Sequence, residues 1–248
     1  MAPEKLSRPW LTLGIRLTVF PVAPQEAPAD LWEKVVGAPP ETDQNQPRQH
    51  LRVQVGPWRQ GVLQLTVSSD RLVWVAGPSS PPEGLPDFQN WSVESVLPDF
   101  VAITRPWLIS VDFGIKRIGF GLHSLLPAQD RASAYRLLEE LVPSVKIEPE
   151  ETSDLLYQIN RPRLSRVLND RLNRLMKWSA VFLGRIQVQV TPEAAQPGPV
   201  FGRQYASLDN DVNTPAERLE PLAKGQLGAI YDELAELAWE NLEAGEKA

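Results

Sequence analysis

The sequence predicts an α+β protein, built mainly of antiparallel sheets with helices packed on one face, in two closely packed halves. Three observations carry this. Leu11, Leu13, Ile15, Leu17 and Val19 alternate with Thr12, Arg16 and Thr18, the period of two that a half-buried strand requires. Three short apolar runs follow at 51–55, 62–67 and 72–75, the last two joined by the turn Ser68-Ser69-Asp70-Arg71, as in a hairpin. Later segments change to helical spacing: Tyr135, Leu138, Leu141 and Val142, then Ile230, Tyr231, Leu234, Leu237 and Ala238.

The remaining elements are placed in order. Pro21, Pro24 and Pro28 end the first strand, and a short helix from about Asp30 carries Leu31, Trp32, Val35 and Val36 and closes at Gly37. The polar, proline-rich stretch 39–49 reads as a loop, as does 78–86. A helix is expected from Asp87 to Leu97, broken by Pro98, with strands at 107–112 and 118–122. Asp130 caps a helix that Pro143 ends. The acidic stretch 146–153 is the expected boundary, giving an N-terminal half 1–145 and a C-terminal half 146–248, with one continuous domain as the alternative. Residues 155–159 read as a strand. In 172–190 the first part suits a helix and the end, 181–190, alternates as a strand; 193–199 reads as a loop. Thr214-Pro215-Ala216-Glu217 fits a capping box ahead of the last helix.

Composition sets limits on function. The chain has 248 residues, 42% hydrophobic and 23% charged, near globular averages. Without cysteine there are no disulfides, thiolate metal sites or cysteine nucleophiles. The net charge of −6 argues against a protein whose main business is coating nucleic acid. Lys5 and Arg8 precede an apolar run, but Arg16 interrupts it and no cleavage pattern follows, so no signal peptide is expected. No apolar stretch is long enough to span a bilayer. The expectation is a cytoplasmic protein with no membrane association.

Three phrases bear a resemblance: Leu156-Tyr157-Gln158-Ile159-Asn160-Arg161-Pro162-Arg163, Leu172-Asn173-Arg174-Leu175-Met176-Lys177-Trp178-Ser179, and Leu208-Asp209-Asn210-Asp211-Val212. With the order of elements, they resemble a sporadically distributed group of prokaryotic proteins of uncharacterised function, over nearly the whole chain. The resemblance implies that 172–190 is largely strand. Such a distribution suits an accessory factor of a mobile or defence system. It implies no catalytic residue.

The chemistry-bearing groups are sparse. His50 and His123 sit beside apolar residues at expected strand ends, and Asp112, 11 positions before His123, is a candidate neighbour for it in a hairpin. Nothing marks a Ser-His-Asp triad, which needs a base held by an orienting carboxylate. Gly119-Phe120-Gly121-Leu122-His123-Ser124 lacks the last glycine and the helix of a dinucleotide loop. Asp209, Asp211, Asn213 and Glu220 fall at calcium-loop spacing, but Thr214 stands where the tight turn needs glycine. Asp99, Asp112 and Asp170 are scattered, and Asp112-Phe113-Gly114-Ile115-Lys116 only imitates a nuclease spacing. No cofactor is expected.

The most informative segment is basic: Arg161, Arg163, Arg166, Arg171, Arg174, Lys177 and Arg185 against Asp170 alone, with Tyr157 and Trp178 as stacking surfaces. The balancing acid lies at 217–246, so the segment reads first as pairing inside the fold or with a protein, and second as a DNA or RNA surface. Of the eight tryptophans, Trp10, Trp32, Trp74, Trp91 and Trp178 sit at core positions, and Trp58 and Trp107 are candidates for exposure. The leading expectation is a non-catalytic binding or assembly protein with a protein partner or self-association. The alternatives are a nucleic-acid-binding protein and a metal-dependent hydrolase with scattered carboxylates.

Overall fold

The structure is a computed structural model that describes residues 6–25, 28, 30–80, 84–190, 195–218 and 220–247. Strand β1 (Leu11–Pro21) forms where the alternating pattern places it. On one side it pairs antiparallel with β5 (Leu72–Pro78), and on the other with β6 (Ile115–Ala128). From β5 the sheet extends outward through β4 (Gly61–Val67), β3 (Leu51–Trp58) and β2 (Thr42–Gln46). From β6 it extends through β10 (Ala195–Asn213) and β9 (Arg171–Val190) to β7 (Leu156–Asn160), with β8 (Arg163–Leu164) also on β9. Among the described residues the result is one open antiparallel sheet of ten strands in place of several sheets, and it runs unbroken across the 146–153 connector.

Among the described residues four α-helices accompany the sheet: α1 (Leu31–Val36), α2 (Val93–Ser110), α3 (Arg131–Leu141) and α4 (Leu227–Ala244). Register aligns Trp74, Leu17, Phe120 and Val212 in one row across β5, β1, β6 and β10. Trp74 meets Trp32 of α1 at 5.7 Å and Trp107 of α2 at 5.9 Å between ring centroids. Phe120 meets Tyr231 of α4 at 5.7 Å. Tyr231 shares a 2.7 Å hydrogen bond with the Thr104 hydroxyl of α2, and burial raises its phenol pKa well above the ordinary value. Large aromatic side chains thus join sheet and helices into one core.

Several elements depart from the local sequence signals. Residues 93–110 form one helix, and both Pro98 and Pro106 lie inside it. Each proline removes an intrahelical bond at a cost of about 3 kcal/mol. The buried stripe Val93, Val96, Leu97, Phe100, Thr104, Trp107 and Leu108 outweighs that cost. The expected strand at 107–112 is therefore the end of α2, and Trp107 is buried rather than exposed, while Trp58 is half-buried against Trp91 and Phe100. Residues 42–46, expected as loop, form the edge strand β2. Residues 195–199 belong to β10, whereas 193 and 194 lie outside the described residues. Residues 171–190 are strand throughout. The capping box at Thr214 does not open a helix. Its hydroxyl accepts from Ile118 N at 3.0 Å and so finishes the sheet, and α4 begins only at Leu227. Asp130 does cap α3, accepting from Ser133 N at 2.7 Å.

Gly61 and Gly225 separate packing from backbone freedom. A Cβ at Gly61 would lie 2.2 Å from the Trp91 ring and 2.3 Å from the Gly77 carbonyl oxygen, whereas one at Gly225 meets nothing within 4 Å. Gly61→Ala is expected to cost about 1–3 kcal/mol in urea unfolding through overpacking. Gly225→Ala is expected to leave stability unchanged or raise it by up to about 1 kcal/mol, through the unfolded state.

Candidate functional site

The basic segment lies against α4. Arg163 pairs with Glu240, and Arg166 pairs with both Glu233 and Glu236. The Glu233 carboxylate is buried, its side chain only 3% exposed. It accepts from Ser165 Oγ at 2.6 Å and from Arg166 N at 2.7 Å. Ser165 Oγ in turn accepts from Val167 N at 3.0 Å and Leu168 N at 2.9 Å, which folds the 165–168 turn over the helix. Arg174 is buried and donates from its guanidinium to Asn241 Oδ1. Burial lowers its guanidinium pKa, against the opposing charge of Glu240. Asn241 Nδ2 donates to Asn210 Oδ1 at 2.8 Å, and Asn210 Nδ2 donates to the Ala238 carbonyl at 2.9 Å. Met176 and Trp178 share this side of the sheet, where Trp178 is buried against Trp10, 6.4 Å between centroids, rather than offered as a stacking surface. Arg161 and Arg171 are exposed; the Glu246 carboxyl is raised by burial but held below its usual pKa by hydrogen bonds from Ser144, with Arg161 adding to that lowering.

The opposite side of the same strands carries a polar lattice. Asn160 Nδ2 of β7 donates to Asn173 Oδ1 of β9 at 3.0 Å, and Asn173 Nδ2 donates to Asn213 Oδ1 of β10 at 3.2 Å. Arg117 of β6 donates to the same oxygen at 2.8 Å, while Asn213 Nδ2 donates to Asp211 Oδ1 at 2.9 Å. Arg16 of β1 reaches Asp211 at 2.8 Å by lying across Gly121, where a Cβ would come within 2.5 Å of its Nε. Only a glycine leaves room for that crossing. Asp209, Asp211 and Asn213 therefore stand in alternation on a strand paired on both sides, instead of wrapping an ion in a loop. Among the described residues, no three His, Cys, Asp or Glu side chains gather as a metal site.

His123 lies in the middle of β6, not at a strand end, and its neighbour is Asp209 in place of Asp112. Its Nε2 is 2.9 Å from Ser207 Oγ, and Lys177 stands across from Asp209 on β9. Burial lowers the imidazole pKa; Asp209 opposes the shift, and Lys177 and Arg16 add to it. Ser207, His123 and Asp209 have the residue types of a nucleophilic triad. Ser207, however, is buried on an extended strand between two paired neighbours, where the backbone N–H groups belong to the ladder and not to an oxyanion. His50 lines a separate cavity of about 510 Å³ with Pro24, Asn45, Leu51, Arg52 and Ser69.

Of the scattered carboxylates, Asp99 pairs with Arg59, Asp170 lies 3.5 Å from Arg218, and Asp112 is exposed. They do not converge. The segments 156–163, 172–179 and 208–212 meet in space, through Asn160–Asn173 and Arg174–Asn241–Asn210. The alternation Asp209-Asn210-Asp211 on a strand is the signal that sends Asn210 to the helix side and its neighbours to the other. A scan of protein-family models and a search of curated proteins gave no match to this chain. Among the described residues, no helix is long and apolar enough to cross a membrane.

Two predictions follow from this geometry. Asn241→Ala strands the buried Arg174 guanidinium and the Asn210 amide, and is expected to lower urea-unfolding stability by about 2–3 kcal/mol. The folded protein holds a proton on His123 more weakly than the unfolded chain does. Stability therefore falls as pH drops through the ordinary imidazole value of about 6.5, until the folded state also takes the proton. Urea midpoints at about pH 7 and about pH 5.5, on either side of that value, should separate more for the wild type than for His123→Gln.

Proposed function

We propose that this chain is a non-catalytic binding or assembly protein, and that a macromolecular partner docks on a sheet face left open by helices crowded onto the other. The carrying observation is the face opposite the Trp74–Leu17–Phe120 row. Trp32, Trp107 and Tyr231, from α1, α2 and α4, all reach that row. On the opposite side Val53, Val55, Val73 and Val75 are half-exposed, beside the Arg16–Asp211 pair, His123, Asp209 and Lys177. An apolar patch bordered by polar groups has the layout of an interface core with its rim.

The nucleic-acid reading would require Arg163, Arg166 and Arg174 to leave their partners on α4. The hydrolase reading would require Asp99 and Asp170 to leave arginines. The open face asks for no such rearrangement, which favours a protein partner.

The test is affinity isolation from the native host with the wild type and with Val75→Glu/Lys177→Glu, both checked for retained circular dichroism. The expected outcome is a protein recovered in stoichiometric amount by the wild type and lost with the variant. Binding to labelled DNA or RNA that falls about a thousandfold between about 50 and about 200 mM salt would instead place the function on the basic segment.

A further inference from the structure

The sheet has edges, and they are not protected alike. At one end β2 is a strand of five exposed polar residues, Thr42 to Gln46, short and hydrophilic as protected edges are. At the other end β7 covers β9 only from Leu175 to Ser179. Beyond Ser179, β9 continues to Val190 with β10 on one side and, among the described residues, no strand on the other. β10 likewise passes β6 at Gln204, the partner of Ala128. The two strands therefore leave the sheet together as a two-stranded ribbon. Its β10 edge contains Pro197 and Pro199, which have no N–H to offer and so block strand addition. Its β9 edge, residues 180–190, has no proline and one charged residue, Arg185.

The root of this ribbon is also unusually apolar for an exposed surface. Leu156 is 60% exposed, Phe182 46% and Phe201 57%. By register Leu156, Val181, Leu183 and Phe201 share one side, while Phe182 lies on the other over Gly184 and Gly202. An isolated two-stranded ribbon is marginal in water, and a long unprotected edge is a template for another strand.

We infer that the β9 edge at 180–190 pairs antiparallel with the same edge of a second copy, across a two-fold axis. Self-pairing fits because an antiparallel edge is its own complement in length and pattern under a two-fold. The geometry also fixes the register. The incoming strand must stop short of β7, whose first residue Leu156 pairs with Ser179, so the axis lies at or beyond Arg185. An axis at about Ile186 satisfies that limit. That leaves about nine cross-strand pairs and a similar number of main-chain hydrogen bonds, within the range a stable interface carries. The apolar root then lies beside the second copy's ribbon, and two ten-stranded sheets become one.

This inference is separate from the open-face reading: a monomer that still retains a partner through Val75 and Lys177 would overturn it and leave that reading intact. The test is sedimentation equilibrium of the full chain, with Phe182→Lys/Leu183→Lys as the variant that charges the edge. A wild-type dimer at about 10 μM, ten times a dissociation constant of about 1 μM, should become a monomer in the variant with unchanged circular dichroism. Hydrogen exchange provides the second readout, because amides in 182–190 should slow as wild-type concentration rises. A wild type still monomeric at about 100 μM would overturn the inference. So would a dimer that the variant leaves intact with no concentration-dependent protection at 182–190.

Discussion

Helix α4 is pinned to the sheet by buried polar groups, and the rest of the C-terminal structure depends on those pins. Arg174, Asn241, Asn210 and the Ala238 carbonyl form one link, and Glu233 with Ser165 and Arg166 N forms the other. Apolar contact alone is indifferent to a small slide of a helix along a sheet. Hydrogen bonds between buried groups are not, since any shift leaves a desolvated donor or acceptor without a partner. The links thus set the register of α4 against β9 and β10, while Tyr231 against Phe120 and Thr104 supplies the packing.

The same arrangement explains the charge pattern. A strand region with six arginines and a lysine between residues 161 and 185 and an acidic helix are far apart in sequence but adjacent in the fold. The exposed pairs among them contribute little each. Glu233 is different, because a carboxylate with so little exposure is tolerated only when its oxygens are fully hydrogen-bonded. Charge held in this way is committed to the fold, whereas Arg161 and Arg171 stay exposed.

Much of the architecture is legible wherever one residue type determines the outcome locally. The strand at Leu11–Pro21, the 62–67 and 72–75 hairpin, the Asp130 cap and the α4 stripe all follow from period, turn or cap. The failures occur where tertiary burial outweighs a local rule. Pro98 and Pro106 are strong helix breakers, yet seven buried residues hold α2 together through both. Thr214 is a good cap residue, yet its hydroxyl is worth more against Ile118 in the sheet. The polar lattice was the least legible feature. Asp209, Asp211 and Asn213 are spaced like calcium ligands, but two apart on a strand is simply one face, and the true partners Arg16, Arg117 and Asn173 come from three other strands.

The connector at 146–153 looks like a domain boundary because it is exposed and acidic, but chain order and spatial order differ here. β6 precedes the connector and β10 follows it, and the two pair over ten successive positions from Gln204–Ala128 to Asn213–Gly119. Arg117, Gly121 and His123 on β6 are completed by Asn213, Asp211 and Ser207 on β10, so neither half holds the lattice alone. Separating them would expose two long strand edges at the centre of the sheet, the arrangement most prone to mispairing. The seam between the halves is thus among the most heavily bonded places in the molecule. The ribbon, which belongs to one half only, is where the sheet's pairing runs out.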